Sequence, residues 1–195
     1  DIIMARKAFY FDSSRCVACK TCQVACKKKN DLPIGINYRA VASYEVGDYP
    51  TAKMYHISHT CNHCVDAACV ANCPTGAMYR DEEDGTVQHD DEICIGCETC
   101  VKSCPYQVPV LLEDKKVTGK CNACIDTRPE DGVPTCVAAC GMRALEFGDY
   151  DELVAAHPEA VRDIACRPDS SMTDPSTLIM GRECVQDPDY RDLLL

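Results

Sequence analysis

The sequence has no apolar run long enough to cross a membrane, which takes about 20 consecutive apolar residues in a helix. We therefore expect no membrane span in this chain. Its first residues, DIIMARKAFYFD, also lack the apolar core of a secretory signal peptide. This absence predicts that the chain is cytoplasmic, or that it is exported together with a partner that carries a signal.

Basic faces and nucleotide-binding loops are missing as well. Asp and Glu outnumber Lys and Arg by 31 to 20, which gives a formal net charge of -11. A chain of this charge has no basic stripe to neutralise phosphates, so we expect no nucleic-acid partner. Neither GxGxxG nor a P-loop occurs, and no spacing indicates a Ser–His–Asp triad or a catalytic carboxylate pair.

Large aliphatic side chains are scarce for a folded protein. Leu, Ile, Val and Phe together make up just under a fifth of the chain. With this net charge, such a composition alone would indicate disorder. Inorganic clusters held by thiolates can organise a chain that has little apolar surface, so we expect its folding to depend on metal.

Cysteine is abundant, with 18 residues, and 16 of them follow one repeated scheme. Each of four motifs begins with CxxC and ends with CxxxC, and only the gap between its second and third cysteine varies. The motifs are Cys16, Cys19, Cys22 and Cys26; Cys61, Cys64, Cys69 and Cys73; Cys94, Cys97, Cys100 and Cys104; and Cys121, Cys124, Cys136 and Cys140. Cys166 and Cys184 lie outside the scheme; we expect ordinary thiols there, with a disulfide as the lesser alternative.

Disulfides, zinc and iron–sulfur clusters compete to explain this repeat. Disulfides give no reason for a fourfold CxxC…CxxxC pattern, and a zinc knuckle has no use for the third cysteine and the CxxxC that it begins. The third motif, CIGCETCVKSCP, matches the ferredoxin run C-x2-C-x2-C-x3-C-P. In that run three thiolates bind one cluster and the fourth binds a neighbouring cluster. Iron–sulfur clusters are therefore favoured.

Exchange of the fourth cysteine implies that the motifs work in pairs. Pro74 and Pro105 follow the last cysteines of the second and third motifs, whereas Lys27 and Gly141 follow those of the first and fourth. These matching differences suggest that motif two exchanges with motif three, and motif one with motif four. The sequence then predicts an inner ferredoxin-like module at 61–117 and an outer one formed by 1–60 plus 118–150.

The remaining segments complete the predicted architecture. Residues 38–58 are rich in Val and Tyr on both sides of Gly47-Asp48, which predicts a β-hairpin. Residues 151–195 are rich in Pro and Asp and predict an extended C-terminal tail that contacts a partner or the module surface. The expected fold class is α+β: two ferredoxin-like modules of the bacterial 2x4Fe-4S type, one nested inside the other, with the hairpin inserted and the tail extended.

Residues 6–150 resemble the four-cluster iron–sulfur electron-transfer subunit, or B subunit, of the dimethyl sulfoxide reductase and molybdopterin oxidoreductase family, and are similar to the polysulfide reductase B subunit. The resemblance is carried by FYFDSSRCVACKTCQVACKKKN, by CNHC and the later CPTGA of the second motif, by the CxxCx11CxxxC of the fourth, and by EFGD after it. One departure is CGMRA, with Gly141, where relatives often read CPTGA.

The resemblance implies four 4Fe-4S clusters and a ligand set for each. These sets are Cys16, Cys19, Cys22 and Cys140 for cluster one; Cys61, Cys64, Cys69 and Cys104 for cluster two; Cys94, Cys97, Cys100 and Cys73 for cluster three; and Cys121, Cys124, Cys136 and Cys26 for cluster four.

The resemblance also implies a non-catalytic subunit that connects a molybdopterin catalytic subunit, containing molybdenum or tungsten, to a membrane anchor or a soluble electron donor or acceptor. If exported, it would travel with a signal-bearing catalytic subunit to the outer face of the membrane. The alternative is a free soluble polyferredoxin that shuttles electrons between several enzymes. An enzyme with its own reactive cluster would need an iron without a Cys ligand, whereas all four motifs are complete.

Overall fold

The computed structural model describes residues 6–129 and 132–193, which contain ten β-strands, five α-helices and two short 3₁₀ helices. The strands are β1 Lys7–Asp12, β2 Ala40–Val46, β3 Lys53–His59, β4 Met78–Arg80, β5 Val87–His89, β6 Val110–Leu112, β7 Val117–Gly119, β8 Leu145–Asp149, β9 Thr177–Met180 and β10 Tyr190–Leu193. The α-helices are α1 Thr21–Lys29, α2 Ala68–Ala71, α3 Thr99–Ser103, α4 Thr135–Ala138 and α5 Tyr150–Ala156; the 3₁₀ helices are Ser170–Met172 and Glu183–Gln186. Residues 1–5 of the predicted outer module, 130–131 of the fourth motif and 194–195 of the predicted tail lie outside the described residues.

Strand β1 lies at the centre of the fold, where it borders the main hydrophobic core and is covered on both faces. It pairs antiparallel with β8 and parallel with β9. Phe9 and Phe11 point into the main core, whereas Tyr10 packs with Leu153 and Leu178 on the opposite face. The run AFYF suits this position, since a strand buried on both faces has continuous rather than alternating apolar residues.

The predicted hairpin is confirmed. Strands β2 and β3 pair antiparallel along their full lengths, and β10 adds to the other edge of β2. Aromatic contacts hold this sheet together: Tyr44 stacks on Tyr55 with ring centroids 5.2 Å apart and meets the Tyr190 ring edge-on at 5.5 Å.

The C-terminal segment corrects one prediction, because it is not an extended tail. It contributes α5, β9 and β10, and so completes both three-stranded sheets. Leu178 and Ile179 on β9 are only 3% and 1% exposed. The sequence did not indicate β9, since TLIM is short and its parallel partner β1 lies more than 160 residues away in the chain.

Two small hairpins connect the middle of the chain. Strand β4 pairs with β5 between motifs two and three, and β6 pairs with β7 between motifs three and four. Helix α1 packs on α4, and α2 packs on α3. The mixture of short strands and helices confirms the α+β class, while the division into two nested modules stays a prediction. None of the helices in residues 6–129 and 132–193 is long and apolar enough to cross a bilayer.

Candidate metal centres

The four CxxC segments turn in the same way, because the third residue of each has a left-handed backbone. These residues are Ala18, His63, Gly96 and Ala123, with φ of 53°, 45°, 63° and 53°. Such a turn aims successive backbone N–H groups into its concave side, where they favour an anion. At Gly96 a side chain would also clash, since its Cβ would lie 2.4 Å from the carbonyl oxygen of Lys116.

A short helix then directs the last two thiols of each motif to different sites. Cys22 and Cys26 lie four residues apart on α1, and four residues of helix advance the chain by about 6 Å. Helices α2, α3 and α4 carry Cys69, Cys100 and Cys136, and in each case the last cysteine of the motif lies four residues further on: Cys73, Cys104 and Cys140. This advance is the physical basis for exchanging the fourth thiol.

Site one gathers Cys16, Cys19, Cys22 and Cys140 around one small cavity. The pKa of the Cys16 thiol is raised, mainly by burial and further by the charges of the other three thiols. The backbone N–H of Ala144 donates to Cys140 Sγ at 3.4 Å. Cys19 is exposed to solvent.

Site two gathers Cys61, Cys64, Cys69 and Cys104 around one small cavity, which Lys120 and Thr173 also line. Burial raises the pKa of Cys61 to about 12 and that of Cys69 to about 11. Burial also raises the pKa of Cys64, although the hydroxyl of Thr173 opposes this rise.

Site three gathers Cys73, Cys94, Cys97 and Cys100 around one small cavity. Two hydroxyls lie against its thiols: Thr99 Oγ1 is 3.3 Å from Cys97 Sγ, and Thr118 Oγ1 is 3.4 Å from Cys100 Sγ. The Thr99 hydroxyl lowers the pKa of the exposed Cys97 thiol.

Site four gathers Cys26, Cys121, Cys124 and Cys136, and all four thiols are buried. The packing of α1 on α4 brings Cys26 to the other three. Burial raises the pKa of Cys26 to about 12, and the charges of Cys121, Cys136 and Cys124 raise it further. The Ala123 N–H donates to Cys121 Sγ at 3.3 Å.

The arrangement suits clusters rather than single ions. All 18 cysteines are free thiols. In the described part of the chain, no three His, Cys, Asp or Glu side chains are placed to hold one metal ion. In a 4Fe-4S cluster each thiolate binds a different iron, so the four sulfurs lie farther apart than four ligands of one zinc. At sites one, two and three the four thiols line one shared cavity, as the ligands of a single cluster would.

The structure places three further side chains near the sites, those of His63, Cys166 and Cys184, whose positions the cysteine spacing did not indicate. His63 is 1% exposed; its Nδ1 accepts a hydrogen bond from the Val87 N–H at 3.0 Å, so the ring does not face solvent. Cys166 lies against the Tyr44 and Tyr55 hydroxyls, and Cys184 is buried in the main core. These two thiols stand outside the four sites.

Two buried cations, Arg39 and Lys120, were not predicted from the sequence although they lie beside the thiols. Arg39 is 1% exposed and Lys120 is 5% exposed. The sequence feature that could have indicated these cations is a basic residue beside a strand segment: Arg39 in YRAV and Lys120 in VTGK. That signal is weak, because long basic side chains at strand ends commonly reach solvent.

Thiols grouped in this way, with turns that present N–H groups and helices that exchange the fourth ligand, define an iron–sulfur protein of the ferredoxin type. Comparison with known proteins supports this class. Residues 52–150 match the family model of the 4Fe-4S dicluster domain. This matched range contains the second, third and fourth cysteine motifs of the chain.

Curated relatives identify the family within this class. The chain is 40% identical over 179 residues to the B subunit of anaerobic dimethyl sulfoxide reductase from Escherichia coli (strain K12), covering 88% of this chain and 86% of the relative. It is 38% identical over 185 residues to the corresponding B subunit from Haemophilus influenzae, covering 90% and 89%. It is 43% identical over 145 residues to the thiosulfate reductase electron transfer subunit PhsB of Salmonella typhi, covering 72% and 74%. The chain belongs to this family of iron–sulfur electron-transfer subunits of reductase complexes, and it is not a catalytic subunit.

Proposed function

We propose that the chain carries four 4Fe-4S clusters and conducts electrons, in anaerobic respiration, between a molybdopterin-containing catalytic subunit and a second redox partner. The second partner is a membrane anchor subunit or a soluble electron donor or acceptor. The observation that carries the proposal is the grouping of all sixteen motif cysteines into four sets, each with the membership that the resemblance implies. When bound, such clusters take up and release single electrons.

The neighbour relations among the sites support one continuous path. Helix α1 joins site one to site four through Cys22 and Cys26. The charge of Cys121 in site four acts on Cys61 in site two. The segment after α2 joins site two to site three, through Cys69 and Cys73. The order is therefore site one, site four, site two, site three.

The two ends of this row are open to partners. Cys19 at site one and Cys97 at site three are exposed, and an exposed apolar residue lies beside each: Val17 is 56% exposed and Ile95 is 66% exposed. Exposure at both ends favours a subunit held between two redox partners. A free polyferredoxin, the alternative, would exchange electrons without a fixed partner at either end.

The same arrangement underlies our proposal for the modules. The inner module, 61–117, holds sites two and three, and the outer module, 1–60 with 118–150, holds sites one and four. We propose that the chain works in the cytoplasm or is exported with its catalytic subunit to the outer face of the membrane.

Purification of the tagged chain from its native cells under anaerobic conditions tests the proposal. We expect a stoichiometric large subunit that contains pterin, and about sixteen irons per chain, as four 4Fe-4S clusters require. Low-temperature EPR of stepwise reduced samples would then show four interacting centres. About eight irons per chain would contradict the four-cluster proposal, and an isolated monomer without pterin would contradict the partner.

A further inference from the structure

Arg39 is a buried cation for which the described part of the chain offers no carboxylate partner. Its Nη1 donates to Ser58 Oγ at 2.9 Å, and its guanidinium lies 4.7 Å from the centre of the Phe9 ring. Its Nε and Nη2 have no hydrogen-bond acceptor in the described part of the chain. No ion pair there includes this guanidinium.

The surroundings of Arg39 place it between sites one and four. Ser58, which accepts its hydrogen bond, has its Oγ 3.6 Å from Cys22 Sγ of site one. On the other side the guanidinium lies against the Cys136 thiol of site four, where its charge opposes the rise in the pKa that burial causes. Its strongest interactions with thiols are with Cys136 and Cys121, both in site four.

Lys120 has the corresponding position between sites four and two. It lines the cavity of site two, and its Nζ donates to the carbonyl oxygens of Val87 and, at 2.9 Å, Cys121. Its charge opposes the rise in the pKa of Cys61 and Cys69 that burial causes. Among residues 6–129 and 132–193 it has no carboxylate partner either.

A buried cation without a counter-ion is costly, so an anion is expected beside it. A 4Fe-4S cluster with four thiolates is such an anion, with a charge of about -2 when oxidised and about -3 after it gains one electron. A nearby cation stabilises the more negative state more strongly, and this raises the reduction potential. Cys19 of site one and Cys97 of site three are exposed, whereas no thiol of sites four and two is exposed and every thiol of site four is buried.

We propose that Arg39 and Lys120 are the fixed counter-charges of the clusters at sites four and two, where they raise the reduction potentials of the two interior clusters. Each interior cluster then accepts one electron from its neighbour in the row and passes it to the next. The inference rests on the proposed function, because it requires clusters at both interior sites.

The test uses the intact complex with Arg39→Gln and Lys120→Gln, and with the charge-retaining controls Arg39→Lys and Lys120→Arg. Iron content is measured first, and EPR then follows a mediated dithionite titration of each sample. At the potential where the affected cluster is half reduced in the wild type, we expect Arg39→Gln to lower its reduced-to-oxidised ratio about tenfold. This equals 59 mV for one electron. Lys120→Gln should shift a different cluster, and both controls should stay within about threefold of the wild type.

The outcomes separate this inference from the proposed function. Fewer than four clusters in the wild type would contradict the proposed function itself. With four clusters present, unchanged titrations in both Gln variants would overturn the inference, as would equal shifts in the Gln variants and their controls. If a Gln variant loses iron while its control keeps it, the charge is needed and the inference stands. If both lose iron, the side chain has a packing role and the inference fails.

Discussion

The interior sites, four and two, and the terminal sites, one and three, use the same cysteine motif in different surroundings. At site four every thiol is buried, and at site two burial raises the pKa of Cys61 to about 12. At the terminal sites Cys19 and Cys97 are exposed, and hydroxyls of neighbouring threonines lower the pKa of both thiols. The motif therefore sets which thiols meet, while the surroundings set how their negative charge is stabilised.

The two kinds of site therefore stabilise negative charge in different ways. Exposure to solvent distinguishes Cys19 and Cys97 at the terminal sites, and the buried cations Arg39 and Lys120 distinguish the interior sites. Solvent can reorganise around a new electron, whereas a buried site depends on groups that are already in place. We expect changes at interior sites to disturb the whole fold and changes at terminal sites to stay local.

The largest expected effect comes from removing one ligand in each region. Cys136, in site four, is 3% exposed and belongs to the main core, so Cys136→Ala should lose a whole cluster and much of the folded yield. Iron should fall from about sixteen to about twelve per chain or below. Cys97→Ala at the exposed edge of site three should lose about one iron and give the EPR signal of a 3Fe centre. Equal losses in the two variants would break the comparison.

Removal of iron by a chelator should follow the same division. We expect loss of iron in two phases, first from the terminal sites and then from the interior ones, because the terminal thiols are open to solvent. Near-UV circular dichroism should change mainly in the second phase, since all four thiols of site four are buried, whereas each terminal site has an exposed thiol. A single phase with simultaneous loss of tertiary structure would show that the four sites open together.

The sequence indicated the groups of cysteines better than their surroundings. Each motif is local, so its spacing selects the sixteen candidate ligands, whose binding to clusters stays a prediction, and Gly47-Asp48 between Val- and Tyr-rich runs indicated the hairpin. Strand β9 was missed because its parallel pairing with β1 joins distant segments, and TLIM alone is too short to predict it. Arg39 was missed for a different reason. The group that we propose to balance its charge is an iron–sulfur cluster, which is not part of the amino-acid sequence.

Strand β9 also offers a test of how far the interior region extends. Ile179 is 1% exposed and packs in the core that contains three of the four site-four thiols, so Ile179→Ala should cost about 2–5 kcal/mol. A chain of this size loses about 2–4 °C of melting temperature per kcal/mol. Met172, which is 60% exposed, offers the control: Met172→Ala should change stability by less than about 0.5 kcal/mol. Equal melting temperatures would mean that β9 contributes little to the core.

The smallest expected effect is a pH dependence in the hairpin beside terminal site one. Burial lowers the pKa of His56, whose Nδ1 lies 2.9 Å from Ser43 Oγ and whose carbonyl accepts a hydrogen bond from Ser13. The unfolded chain then takes up the proton first as the pH falls, so stability is complete above about 6.5 and declines as the pH falls through the lower folded value. Melting temperatures of the wild type and His56→Gln between about pH 7.5 and 5.5 isolate this contribution, because other buried histidines contribute equally to both profiles. The wild type should lose more stability on acidification than the variant; parallel profiles would place the acid sensitivity elsewhere, in the interior region or among the carboxylates.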